Sequence, residues 1–325
     1  MSRNTTLFAI ISITAVISGA VAFQGWELST LPDAHTKSIA CLDFANDYDR
    51  QQRRDRSYII SGSQDGTAIV WDAKTGSVRH RLVSGAKQVW AVAASPNGRT
   101  VATGTDDSKV ILWDPRTGSK LAELNGHAGR LAGLAWSPTG RQLASCADDG
   151  TALLWDVATR RAVRTMKGDE KVISCVAFSP DSKVIAFGAR GNKIYLCNAD
   201  TGERLKVLTD MTHEPITLSF SPDGAMLASG SGDKLITLRD AQTGGVLKTL
   251  AGHTNTVKAV RWSRDSQRLF SGGDDGQVVE WDVERGGILN KGKVKQYVND
   301  VAVCMVDGLE RIALAKPSGV VEVFK

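Results

Sequence analysis

Three pairs of adjacent aspartates stand out in the chain: Asp106-Asp107, Asp148-Asp149 and Asp274-Asp275. Paired carboxylates are what a hard divalent cation, or an acid–base couple, requires. Five histidines accompany them: His35, His80, His127, His213 and His253. The local signatures that turn such residues to chemistry are missing. There is no His-Glu-x-x-His, no glycine-rich phosphate loop and no Gly-x-Ser-x-Gly elbow. The five cysteines, Cys41, Cys146, Cys175, Cys197 and Cys304, all fall on apolar runs. An odd count without a Cys-x-x-Cys is no disulfide framework, and these read as small buried hydrophobes. No catalytic residue, metal site or cofactor is expected.

The aspartate pairs belong to a repeat. Trp-Asp stands at 71–72, 113–114, 155–156 and 281–282, so the first three are 42 residues apart and the last lies three times 42 further on. Steps of 42 also land on Cys197-Asn198, Arg239-Asp240 and, at the chain's end, Val323-Phe324. Around each step recur a Ser-Pro turn (Ser95-Pro96-Asn97-Gly98), an Asp turn (Asp65-Gly66, Asp149-Gly150) and a Thr-Gly turn (Thr75-Gly76). Gly, Asn, Asp and Pro supply the backbone angles of tight hairpins. Between the turns lie short runs rich in Val, Ile, Leu and Ala, which read as strands. A period of about 40–45 residues ending in Trp-Asp is the signature of a four-stranded propeller blade. The expected fold is therefore all-β, a seven-bladed propeller of four-stranded antiparallel blades.

At these residues the chain resembles the WD-repeat family over about residues 26–325. Gly126-His127 and Gly252-His253 match the dipeptide that begins the family's repeat, and Ala34-His35 comes near it. The resemblance implies a structural network in which the histidine bonds a Ser or Thr, the Asp of the second turn joins, and the Trp closes the set. Carried over, the sets are His35, Ser61, Asp65, Trp71 in blade 1; His127, Ser145, Asp149, Trp155 in blade 3; and His253, Ser271, Asp275, Trp281 in blade 6. The second aspartate of each pair is then a turn residue, and the first points to solvent. Blade 2 keeps Thr103, Asp107 and Trp113 but has Gly85 for the histidine. Blade 5 keeps Ser229 and Asp233 but has Arg239 for the Trp. Blade 4 (Phe187, Gly191, Cys197) and blade 7 (Ala313, Pro317, Val323) keep nothing. These two are expected to be held by packing alone, with Lys316 on the surface.

The 325 residues, 42% hydrophobic and 23% charged with net charge +5, describe an ordinary globular chain. Nucleic-acid binding asks for a denser basic stripe. Residues 1–22 stand apart from the ring, residues 23–325. The apolar run Leu7 to Ala22 ends Ala20-Val21-Ala22, the small-x-small pattern of a signal-peptidase site. It reads as a cleaved signal peptide with the mature chain starting at Phe23, or else as a membrane anchor. Either reading puts the ring outside the cytosol, whether secreted, periplasmic or lumenal. Gln24 to Leu31 resembles a fourth strand, whereas the last blade ends at its third. The N-terminal strand should therefore complete that blade and close the ring, removing two exposed edges. Blade 1 is eight residues longer than blade 3 between its histidine and its Trp-Asp, and the extra residues lie in the polar stretch Asn46 to Ser57. That stretch reads as a solvated loop, with a docking loop as the functional alternative.

Two functions remain. The first is the one the resemblance implies, a non-catalytic scaffold, expected to be a monomeric ring, presenting a rigid face to a protein or peptide. The second is an exported enzyme or sugar-binding protein with its site at the channel mouth. Strands alternate in direction, so the fourth-to-first-strand loops and the second-to-third-strand turns emerge on one side. The position two after each histidine reads Lys37, Lys87, Gly129, Lys171, His213, Asn255 and Tyr297, with Arg130 and Lys295 alongside. A ring of like charge around a low-dielectric mouth draws in anions. An acidic peptide is the expected partner at Lys37, Lys87, Arg130, Lys171, His213, Lys295 and Tyr297.

Overall fold

The structure is a computed structural model that describes residues 28–31, 35–45, 48–49, 54–55, 57–169, 172–306 and 309–324. Its strands form seven four-stranded antiparallel sheets and one two-stranded ribbon. Blade 3 shows the plan: Leu131–Trp136, Gln142–Ala147, Thr151–Asp156 and Arg161–Lys167 pair in chain order. The first strand of each blade packs against that of the next, and blade 7 packs against blade 1, so the sheets close into a ring about a central channel. This is the seven-bladed propeller that the 42-residue period implies.

Burial follows position within the blade. The second and third strands are covered on both faces and read as nearly continuous apolar runs, as Leu143-Ala144-Ser145-Cys146-Ala147 does. The fourth strand is the rim, where Leu124 is the one buried residue of Lys120–Asn125. Adjacent blades seal face to face. Ala102, Val110 and Leu112 of blade 2 pack on Leu131, Trp136, Leu143 and Trp155 of blade 3. Some seams close only because a side chain is absent. A Cβ on Gly188 would lie 2.6 Å from Pro215 Cγ of the next blade. Blade 3 carries Cys146 at that place, and Gly133 on its own first strand makes the room, since a Cβ there would sit 3.0 Å from Cys146 Sγ.

A second seam runs round the rim. His80 Nε2 donates to Arg116 O of the next blade at 2.8 Å, and Arg164 Nε donates to Asp200 O at 2.8 Å. Lys206 and Lys248 make the same reach, to Thr243 O and to Val283 O. These donors sit on fourth strands and cap the turn carbonyls that a blade alone leaves open.

Closure joins the chain's two ends. Leu28–Thr30 pairs antiparallel with Val321–Phe324 as the outermost strand of blade 7, with Ser29 opposite Val323. Leu31 N then donates to Val321 O at 3.0 Å, and His35 N to Gly319 O at 2.9 Å. Gly319 has φ 79°, and a Cβ on it would collide with His35 O at 2.3 Å. In the insertion of blade 1, Tyr48–Asp49 pairs with Arg54–Asp55, so it carries a short antiparallel ribbon where a plain solvated loop is expected. The leader, its cleavage point after Ala22, residues 24–27 of the closing strand and Lys171 lie outside the described residues.

Candidate functional site

The histidines are committed to structure first. In blade 6, His253 Nδ1 faces both Asp275 oxygens at 3.0 and 3.1 Å, and its Nε2 meets Ser271 Oγ at 2.7 Å. Trp281 Nε1 donates to the same hydroxyl at 2.8 Å. Asp275 also accepts Thr254 N at 2.7 Å and Gln277 N at 3.0 Å. Burial alone would raise the Asp275 carboxyl, but these donors outweigh it and hold it down to about 2. Blade 3 repeats the geometry. His127 joins Asp149 at 2.9 Å and Ser145 at 2.7 Å, and Trp155 joins Ser145 at 2.8 Å. In blade 1, His35 joins Asp65 at 3.1 Å and Ser61 at 2.8 Å, with Trp71 on Ser61 at 2.8 Å. Burial lowers the pKa of His35 and His127 despite their aspartates.

The other blades depart from this set, each differently. In blade 2, Trp113 Nε1 still reaches Thr103 Oγ1 at 2.9 Å, but with Gly85 in the histidine's place Asp107 binds only Thr105 and Lys109. In blade 5, Met211 replaces the histidine and the fully buried Arg239 replaces the Trp. Arg239 donates to Asp210 at 2.8 Å and to Met211 Sδ at 3.4 Å. Ser229 makes only long contacts, to Met211 Sδ and Thr237 O, while Asp233 is held separately by Thr212 and Ser231.

Blades 4 and 7 correct the expectation of packing alone. In blade 4 the buried Tyr195 stacks on Phe187 at 5.0 Å, and its hydroxyl accepts Asp169 N at 3.0 Å. Arg204 lies 4.8 Å above the Tyr195 ring and pairs with Asp169 at 3.1 Å. Asp169 occupies the histidine's position, so a tyrosine–aspartate–arginine set stands in for the family's. In blade 7, Lys316 is not a surface residue: it is 6% exposed and pairs with the equally buried Glu322 at 2.6 Å. The repeat gives no signal for either substitution, because Asp169 at the histidine's place reads as any exposed acid, and Tyr195, Lys316 and Glu322 stand beside the standard places, not in them.

The channel has a volume of about 930 Å³ and opens on the upper side among Ser38, Gln64, Trp90, Tyr297 and Asn299. Its charged groups, Asp43, Lys258, Arg261 and Asp300, gather in one sector. Asp300 accepts Arg261 Nη2 at 3.0 Å and Leu42 N at 2.9 Å. Asp43 accepts Ala94 N at 2.7 Å and Phe44 N at 2.8 Å. Burial pushes Asp43 up to about 6 and raises Asp300 as well. Both carboxylates thus tie one blade to the next and are already engaged. Among the described residues no cluster of three or more His, Cys, Asp or Glu is arranged to hold a metal. The register position 90, 132, 174, 216, 258, 300 faces the channel and reads Trp, Ala, Ser, Ile, Lys, Asp. Reading that position across the repeats would have found Lys258 and Asp300, and the position three residues further on adds Asp43 and Arg261.

Around the upper mouth, Lys37, Lys87, His213, Lys295 and Tyr297 are exposed. Arg130 differs from them. Its guanidinium stacks 4.4 Å above the Trp90 ring and pairs with Asp148 at 2.8 Å. Asp274 pairs with Lys258 at 3.5 Å, and Asp106 accepts Gln88 N at 3.0 Å. The first aspartate of each pair is therefore engaged and not turned freely to solvent, while its charge still offsets the rim, Asp148 against Arg130 most directly. The arrangement offers an aromatic mouth edged by lysines, which suits recognition.

Known proteins resemble this chain in two ways. A family model described as "Echinoderm microtubule-associated protein second beta-propeller" matches residues 131–307, and one described as "WD domain, G-beta repeat" matches residues 25–72 and 76–114. The chain is 37% identical over 68 residues to guanine nucleotide-binding protein subunit beta-5b of Danio rerio, covering 21% of this chain and 15% of that protein. It is 34% identical over 68 residues to guanine nucleotide-binding protein subunit beta-2 of Caenorhabditis elegans, covering 21% of this chain and 16% of that protein. The matched stretch thus spans under a fifth of either relative.

Proposed function

The chain belongs to the WD-repeat β-propeller family, and from that premise we propose that it is a non-catalytic protein-interaction platform whose upper face takes an acidic peptide or loop of a partner protein. The observation that carries the reading is the mouth itself. Trp90 and Tyr297 line it, Arg130 is stacked over Trp90, and Lys37, Lys87 and Lys295 stand exposed beside it. An aromatic edge supplies contact area at low entropic cost, and the lysines steer an anion toward it. The guanine nucleotide-binding subunits share the repeat, and a protein partner is consistent with that likeness. Export belongs to the same proposal. The leader ending Ala20-Val21-Ala22 directs the ring out of the cytosol, and N-terminal sequencing of the native protein should find Phe23.

The test is an array of immobilised peptides graded in net charge, probed with the full chain. Acidic peptides should be retained, and Lys87→Glu with Lys295→Glu should abolish the preference without lowering the melting temperature. Equal retention of acidic and basic peptides by the unaltered chain would refute the reading.

A further inference from the structure

The opposite, lower side of the ring carries the first-to-second-strand and third-to-fourth-strand turns, and its charge is divided. The turns of blades 2 and 3 span 95–100, 114–119, 137–142 and 156–161. They hold five arginines, Arg99, Arg116, Arg141, Arg160 and Arg161, against two aspartates. All five arginines are exposed. The two aspartates, Asp114 and Asp156, are half-buried and turned inward onto backbone N–H groups, those of Arg116 at 2.8 Å and Thr159 at 2.7 Å. The matching turns of blades 4 and 5 span 179–184, 198–203, 221–226 and 240–245. They hold five acids, Asp181, Asp200, Glu203, Asp223 and Asp240, against Lys183 alone. The net is +3 over one pair of blades (five minus two) and −4 over the next (one minus five).

Each half is a continuous surface. A Cβ on Gly140 of blade 3 would lie 3.8 Å from Pro96 of blade 2, and one on Gly224 of blade 5 would lie 3.8 Å from Pro180 of blade 4. Between the halves, Arg164 of blade 3 is bonded to Asp200 O of blade 4 at 2.8 Å, which fixes the boundary. Blade 6 does not extend either half, because its turns, 263–268 and 282–287, hold three basic and three acidic residues.

Two adjacent patches of opposite sign on one face are complementary to themselves. A two-fold axis along the seam between blades 3 and 4 exchanges blade 3 with blade 4 and blade 2 with blade 5. Each arginine half then meets an acidic half, twice over, as an isologous contact requires. We propose that the lower face pairs with the lower face of a second copy of this chain, leaving both upper faces outward. A uniformly anionic lipid surface fits less well, since it would attract one half and repel the other. The contact is polar and its attraction is screened by salt. It departs from the monomeric ring that the sequence suggests, and it does not depend on what the upper face binds.

Sedimentation equilibrium of the full chain tests this, at about 0.02 M and about 1 M salt. A dimer is expected at low salt and a monomer at high salt. Arg141→Glu with Arg160→Glu should weaken dimerisation by about tenfold or more, and so should Asp200→Arg with Glu203→Arg. These residues are all exposed, so unchanged melting temperatures show that both double variants still fold. Mixing the two variants sets one unaltered arginine half (+3) against one unaltered acidic half (−4), with the substituted positions of blades 3 and 4 again opposite in sign where they meet, and should restore dimers at low salt. A monomer under all conditions would overturn the proposal. So would association that survives both reversals, a mixture that fails to pair, or a monomer whose arginine half binds anionic vesicles instead.

Discussion

Removing the Asp275 carboxylate should cost far more than removing the Asp107 carboxylate, although the two stand at the same point of the repeat. Asp275 is 3% exposed at its side chain and accepts from His253, Thr254 N, Gln277 N and, at 2.8 Å, Gln277 Nε2. Asp275→Ala strands those donors. Thr254 is exposed and rehydrates, but His253 and Gln277 are buried and each loses about 1–3 kcal/mol of hydrogen bonding. The sum is about 2–6 kcal/mol. The same donors hold the carboxyl down to about 2, and that depression corresponds to a loss of a few kcal/mol when they are stranded. Because the folded value is depressed, this stability is present above pH ~4 and is lost as pH falls from there toward ~2. Asp107 is 40% exposed and binds only Thr105 and Lys109, so Asp107→Ala should cost under about 1 kcal/mol. Equilibrium denaturation in urea at neutral pH reads both losses, and melts at pH ~3 should show the gap between Asp275→Ala and the parent shrinking. Equal losses at neutral pH, or a gap that does not shrink in acid, would refute the reasoning.

Lys316→Ala should destabilise by about 3–5 kcal/mol, since it leaves the buried Glu322 unpaired, whereas Lys316→Met with Glu322→Gln should recover most of the loss in the same melts. Met211→His with Arg239→Trp rebuilds the histidine–serine–aspartate–tryptophan set around Ser229 and Asp233, and should raise stability by about 1–2 kcal/mol by denaturant titration; a loss would show that Arg239 is better accommodated than its position suggests. His35 and His127 have folded pKa values lowered by burial, so the unfolded chain gains protons first, and stability should fall as pH drops below about 6.5. His35→Gln with His127→Gln should flatten that part of the pH profile.

Seven blades and their closure are legible because the signal is periodic. A decayed dipeptide, such as Cys197-Asn198, does not erase a register fixed by the four places that keep Trp-Asp. The blades with full sets are legible residue by residue, since each member has a fixed offset from the Trp. What escapes the sequence is compensation. Asp169 takes the histidine's own place with Tyr195 reaching it from a neighbouring one, Lys316 and Glu322 fill theirs from adjacent positions, and nothing local distinguishes a buried Lys316 from a solvated one. The ribbon in the insertion escapes for a different reason, because its short strands lack alternation. The stacking of Arg130 on Trp90 joins two blades 40 positions apart in sequence, and only the ring brings them together.

The proposed role of the upper face is to hold a partner protein through its lysines and aromatic mouth. The most direct measurement is quantitative capture from extracts of the native host on three rings: the unaltered chain, one with Lys37→Glu, Lys87→Glu and Lys295→Glu, and one with Arg141→Glu and Arg160→Glu. A partner should be enriched on the unaltered and lower-face rings and depleted about tenfold or more on the upper-face variant. Equal enrichment on all three, or depletion only when the lower-face arginines are reversed, would contradict it.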